Sequence, residues 1–160
     1  MIIRRANASD LPGLNRLLEQ VLMVHHNGRP DLFKSGAKKY TDEELLTLLA
    51  DEGRPVFAAV DDSGTMLGYC FCIFQQHLNN NILTDIRTLY IDDLCVDDSA
   101  RGKGVATALF RHVTAVAKAA GAKFITLNVW EGNSARNFYD KMGMKPRKTT
   151  LELPLEETVC

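Results

Sequence analysis

The residues best suited to chemistry are concentrated between Leu94 and Ala106, in the run Leu94-Cys95-Val96-Asp97-Asp98-Ser99-Ala100-Arg101-Gly102-Lys103-Gly104-Val105-Ala106. A strand pattern leads into a turn, and two glycines stand at the foot of a helix. The first turn of a helix leaves backbone N–H groups without intrahelical partners, and the macrodipole adds partial positive charge there. Gly102 and Gly104 would let a ligand approach those amides closely, while Arg101 and Lys103 add full charges. That combination suits a pyrophosphate. The bland alternative is a helix N-terminus with solvated charges. Two nucleotide motifs fail on spacing. Lys103 precedes Gly104, which breaks a P-loop, and Thr107 stands where a dinucleotide-binding turn needs its third glycine.

The elements that must position this run alternate between strand and helix patterns. Residues 2–4 read as a strand, and Ser9 offers an N-cap to a helix carrying Leu11, Leu14, Leu17, Leu18, Val21 and Leu22. Residues 25–40 lack a period and contain Gly28, Pro30 and Gly36, so they read as a loop. Thr41 and Glu44 form a capping box for a second helix through Leu49. Residues 56–60 and 66–74 make a hairpin, and residues 89–96 a further strand. Val105, Leu109, His112 and Val116 keep helical spacing up to Gly121. A strand at 124–129 follows. Asn133 then caps a short helix with Ala135, Phe138, Tyr139 and Met142, ended by Gly143. Residues 148–153 read as a last strand, and 154–160 as a flexible tail. The order is β-α-α-β-β-β-α-β-α-β, an α/β domain spanning residues 1–160.

Composition supports an ordinary globular chain. Of 160 residues, 46% are hydrophobic and 24% charged, with 19 Lys+Arg against 20 Asp+Glu. A formal charge of −1 disfavours a nucleic-acid module. No apolar run reaches the roughly 20 residues of a membrane helix, and no signal-peptide core is present. A cytoplasmic protein is expected. The four cysteines, Cys70, Cys72, Cys95 and Cys160, show no zinc spacing and read as free thiols, so no metal is expected.

Arg101-Gly102-Lys103-Gly104-Val105-Ala106 resembles the acyl-CoA signature of the GNAT superfamily of N-acetyltransferases. Leu94 and Val96 are similar to its preceding strand segment. Asn133-Ser134-Ala135-Arg136-Asn137-Phe138-Tyr139-Asp140-Lys141-Met142-Gly143-Met144 resembles its late helix, with Met144 in place of the usual aromatic. The resemblance implies a mixed central sheet of six to seven strands with flanking helices. It implies that acetyl-CoA serves as co-substrate, its pantetheine arm along Leu94, Cys95 and Val96. Its pyrophosphate would lie on the amides of Arg101, Gly102, Lys103, Gly104, Val105 and Ala106. Asn133 and Arg136 are expected to assist in binding it. Tyr139 matches the family acid that protonates the departing thiolate, and a homodimer is a family expectation.

Direct attack by an amine needs a donor for the developing oxyanion and a base for the ammonium proton. A backbone N–H near Leu94 or Cys95 is the expected donor. Asp92 and Asp93 are the candidate bases. The run around them resembles the acidic strand of polyamine N-acetyltransferases, where the position matching Asp92 is the base. Strict alternation puts Tyr90, Asp92, Leu94 and Val96 on one face, but a bulge would exchange the faces. A structural role for both aspartates stays open. His26, Phe33 and Tyr90 are candidates for the acceptor side. Arg29, Lys34, Lys38 and Lys39 make that segment basic, which weighs against a polycationic acceptor. Cys95 reads as a core thiol rather than an acyl carrier, and His112, Trp130 and Phe138 as packing residues. The expected activity is acetyl transfer to a primary amine of a small molecule (a polyamine, amino sugar or amino acid) or of a protein. The rival is a catalytically silent acyl-CoA sensor.

Overall fold

Local hydrogen bonds set the helix starts. Thr41 Oγ1 accepts from the Glu44 N–H at 3.1 Å, and Glu44 Oε2 accepts from the Thr41 N–H at 2.8 Å, closing the expected capping box. Ser9 does not cap the first helix, whose N-cap position is Asp10 with no side-chain cap bond. Asn7 instead caps the short 3-10 turn at Ala8–Asp10 that precedes it, accepting from the Ser9 N–H at 2.9 Å. Asp10 closes the box by accepting from the Asn7 N–H at 2.8 Å, and Arg4 grips the same carboxylate at 2.7 and 2.9 Å.

The computed structural model describes residues 1–156, so residues 157–160 of the expected tail, Cys160 included, lie outside the described residues. The chain divides into two compact units, Met1–Asn128 and the residues from Val129 onward. The first unit holds a five-stranded sheet in sequential order: β1 (Ile2–Arg5), β2 (Val56–Val60), β3 (Met66–Gln76), β4 (Arg87–Val96) and β5 (Phe124–Leu127). The first four strands are antiparallel, and β4–β5 is parallel. Its helices are α1 (Leu11–Gly28), α2 (Asp42–Leu49) and α3 (Val105–Ala119). The helical run of α1 continues through His25 and His26, which the sequence assigned to a loop.

The two faces of the sheet follow from the strand period of two. Val56, Ala58, Val60, Tyr69, Phe71 and Cys95 pack with Leu14, Leu17 and Leu18 of α1 and Leu45 and Leu48 of α2. On the opposite face Phe57 meets His112 of α3 edge-on, with ring centroids 4.9 Å apart. Gly68 lets α3 lie close to the sheet. A Cβ there would stand 2.8 Å from the Cys95 carbonyl and 3.1 Å from Val105 Cγ1. Since backbone cannot step aside cheaply, Gly68→Ala is expected to lose about 1–3 kcal/mol in a denaturant melt. A variant as stable as wild type would refute this packing.

The second unit contains α4 (Ala135–Lys141), which ends at Gly143 with φ of 90°. Among the described residues the sheet has five strands, not six to seven. Residues 148–153 form no strand, and Leu151 and Leu153 are 88% and 80% exposed. Alternation alone does not make a strand, because side-chain packing against neighbours supplies most of its stability.

Candidate active site

The acidic pair in β4 is shaped by a bulge. Phe71 pairs with Asp93 and the next residue, Cys72, pairs with Ile91, so Asp92 is left without a partner in β3. Strict alternation therefore fails at this point. Tyr90, Asp93 and Cys95 share the face of Ile73, Phe71 and Tyr69, while Ile91 and Leu94 turn to the other face with Cys72 and Cys70. The grouping of Tyr90 with Leu94 and Val96 is corrected accordingly.

Asp93 sits within a small polar cluster. Tyr69, fully buried, donates its hydroxyl to Asp93 Oδ2 at 2.8 Å. Lys39, from the connection between α1 and α2, reaches Asp92 Oδ2 at 3.2 Å and Asp93 Oδ2 at 4.0 Å. Burial pushes the Asp93 carboxyl above its ordinary range, and the Lys39 charge and the Tyr69 hydroxyl oppose that shift without cancelling it. Burial, followed by the Asp93 charge, holds the Tyr69 phenol well above its usual value, so it stays a donor. For Lys39, burial favours the neutral amine, but Asp93 and Asp92 outweigh it and raise its pKa. Cys95 is pushed up to about 12, first by burial and then by Asp93, which suits a core thiol and not a nucleophile.

Sequence reasoning missed Tyr69 and treated Lys39 only as local charge. Tyr69 carried one signal: a tyrosine in an apolar strand must find a partner for its hydroxyl when buried. Lys39 carried none, since its contact joins residues far apart in the chain.

The backbone beyond the bulge is open on one side. β4 pairs with β5 only from Thr88 to Ile91, so residues 92–96 have no strand partner on that edge among the described residues. The Asp97 N–H bonds the Leu67 carbonyl at 2.8 Å. Alternation from that bond turns the amides of Cys95 and Asp93 toward β3 and those of Leu94 and Val96 outward. The chain then passes the 3-10 turn Asp98–Ala100 into Gly102 and Gly104, both left-handed, with φ of 73° and 79°. The first α3 bond runs from the Ala108 N–H to the Gly104 carbonyl at 3.0 Å, so the Val105, Ala106 and Thr107 amides precede the helical ladder. Asp97 anchors the turn, pairing with Arg16 and accepting from the Ser99 N–H at 2.9 Å. Arg101 pairs with Asp98 at 2.7 Å, and Lys103 is exposed.

Residues 22–144 match the family model described as the acetyltransferase (GNAT) family. The chain belongs to the GNAT acetyltransferases. It is 32% identical to a point mutant of the BH1408 protein of Bacillus halodurans, with a TM-score of 0.93 over 98% of this chain and 100% of that one. Two further solved structures share the fold at 18% identity. A glucosamine-6-phosphate N-acetyltransferase of Arabidopsis thaliana has a TM-score of 0.71 over 97% and 98% of the two chains. An aminoglycoside acetyltransferase from an uncultured soil metagenomic sample has 0.72 over the same shares. No curated protein matches the sequence.

The remaining candidate residues of this GNAT chain fall in two places. On the first unit, His26 Nδ1 lies 2.7 Å from the Phe33 carbonyl, and the Phe33 ring stacks on His25 at 5.0 Å. The Tyr90 hydroxyl accepts from Asn128 Nδ2 at 3.3 Å. The basic segment is largely paired: Arg29 with Asp31, Lys38 with Asp42 and Lys39 with Asp92. On the second unit, Asn133 Oδ1 accepts from the Ala135 N–H at 2.9 Å in a turn before α4, whose N-cap position is Ser134 rather than the expected Asn133. Arg136 pairs with Asp140 at 3.0 Å. Tyr139 is buried, with its ring 5.2 Å from that of Phe138. Among the described residues no helix is long and apolar enough to cross a membrane, and no group of His, Cys, Asp and Glu could hold a metal.

Proposed function

We propose that this GNAT protein transfers an acetyl group from acetyl-CoA to a primary amine by direct attack. The observation that carries this reading is the open edge of β4 at Leu94 and Val96, continuing within one unit into the left-handed turn at Gly102 and Gly104. Outward strand amides suit the amide-bearing pantetheine arm, and first-turn helix amides suit the pyrophosphate. Acetyl-CoA offers both groups in that order. Arg101, Lys103, Asn133 and Arg136 are assigned auxiliary contacts to it.

The acid cluster beside that edge supplies the acid–base chemistry. Asp93 takes the proton from the acceptor ammonium, because burial has moved its pKa toward working pH while Lys39 and Tyr69 keep its charged form accessible. Asp92, at the bulge, adds negative charge that attracts the ammonium. The Leu94 N–H stabilises the oxyanion that develops on the acyl carbonyl. Tyr139 returns a proton to the departing thiolate, its hydroxyl serving as the general acid. His26, Phe33 and Tyr90 line the acceptor side.

Acetyl-CoA should raise Tm by mass action, and a panel of amines should release CoA thiol detectable with a disulfide reagent. Absence of both would sink the proposal, whereas a Tm rise with no thiol release from any amine would identify a silent binder. Tyr139→Phe keeps the ring and its contact with Phe138. It is expected to lower kcat by about 10-fold to 10³-fold with little change in Tm or in CoA affinity. An aryl thioester, whose leaving group needs no acid, should show a smaller defect. Unchanged kcat under chemistry-limited conditions would assign the proton to water.

A further inference from the structure

The protein brings a primary amine of its own to the acid pair. Lys39 Nζ lies 3.2 Å from Asp92 and 4.0 Å from Asp93. That is the place an acceptor ammonium would take if Asp93 is its base. Lys39 belongs to residues 29–41, which contain only turns and bends between α1 and α2, so its backbone is not locked into a helix or strand. Its side chain is 40% exposed, whereas that of Asp93 is 9% exposed. The amine thus reaches inward from an exposed connection toward a buried carboxylate. Lys38, its neighbour in sequence, points elsewhere and pairs with Asp42 at 2.9 Å.

We propose that Lys39 is an internal acetyl acceptor, modified in cis by the protein's own acetyl-CoA site; this rests on the function proposed above. Asp93 takes one proton from the Lys39 ammonium. The neutral Nζ forms a bond to the acyl carbon, and the carbon–sulfur bond breaks. The thiolate leaves with the second proton released from nitrogen. Ammonium and acetyl-CoA become an amide, CoA thiol and one proton passed to solvent, with no redox change. The product has lost its charge and can no longer form an ion pair with Asp92 or Asp93. Acetylation therefore frees the acid pair for an external ammonium, and the unmodified lysine competes with one.

The test is peptide mass mapping of purified protein incubated with acetyl-CoA and no added amine. One acetyl group is expected on Lys39, with Lys34 and Lys38 at least about 10-fold less modified, because attack rate follows positioning. The first-order rate should be independent of protein concentration. Asp93→Asn should slow it, and heat-unfolded protein should lose the preference for Lys39. Lys39→Arg should show no compensating modification at Lys38. Equal labelling of all three lysines, or a rate proportional to protein concentration, would overturn the proposal. A wild-type protein that gains Tm with acetyl-CoA and acetylates an added amine, yet leaves Lys39 unmodified, would overturn it alone. Absence of both the Tm gain and turnover would remove the underlying function as well.

Discussion

Asp93→Asn is expected to lower kcat by about 10²-fold to 10⁴-fold, the range for loss of a positioned general base, with CoA affinity nearly unchanged. The amide keeps the shape and can still accept from the Tyr69 hydroxyl, now 2.8 Å from the carboxylate, but it cannot take up a proton. The pH profile carries a second readout. Asp93 works ionised and its pKa is raised, so kcat/KM should fall on the acid side at a pH above the ordinary carboxylate range. The groups acting on it are Lys39 and His25, which lower its pKa, Asp92, which raises it, and Tyr69, which lowers it by hydrogen bonding. Asp92→Asn should therefore move the acid limb to lower pH, and Lys39→Met to higher pH. The same shift has a sign in stability. A carboxyl whose pKa is raised on folding contributes stability below its unfolded pKa and loses it as pH rises through the folded value. At neutral pH, Asp93→Asn should then melt no lower than wild type. A large loss of kcat in Asp92→Asn, with Asp93→Asn near wild type, would return the base to Asp92.

Gly104→Asp should weaken CoA binding by about 10²-fold or more and abolish the CoA-dependent rise in Tm, because it sets a carboxylate where a pyrophosphate is expected to sit. The variant is expected to fold. Gly104 has φ of 79°, and a Cβ there would meet nothing within 4 Å. Aspartate also tolerates the left-handed region better than most residues. Gly104→Ala separates charge from strain. It should cost about 1–2 kcal/mol of stability for the left-handed conformation and still respond to CoA. Titration by calorimetry or thermal shift distinguishes the two. If Gly104→Asp binds CoA as tightly as wild type, the phosphates lie elsewhere.

The sequence by itself determined those features whose cause is local. The Thr41–Glu44 box, the helix ends at Gly121 and Gly143, and the helical run from Val105 arise from residues within a few positions of one another. The glycine turn before a helix pointed to a phosphate ligand, and two motif segments pointed to the GNAT family. Features created by pairing distant segments were not legible. The bulge at Asp92 exists only in the register of β4 against β3, and that one-residue offset decides which aspartate shares a face with Tyr69. Lys39 meets Asp92 across 53 positions of sequence, an ion pair that no periodicity encodes. The strand expected at 148–153 failed for the converse reason, because alternation describes a residue's preference but not whether an edge is offered to it. Short-range order follows from backbone sterics and capping; the acid cluster follows from burial and charge gathered by the fold.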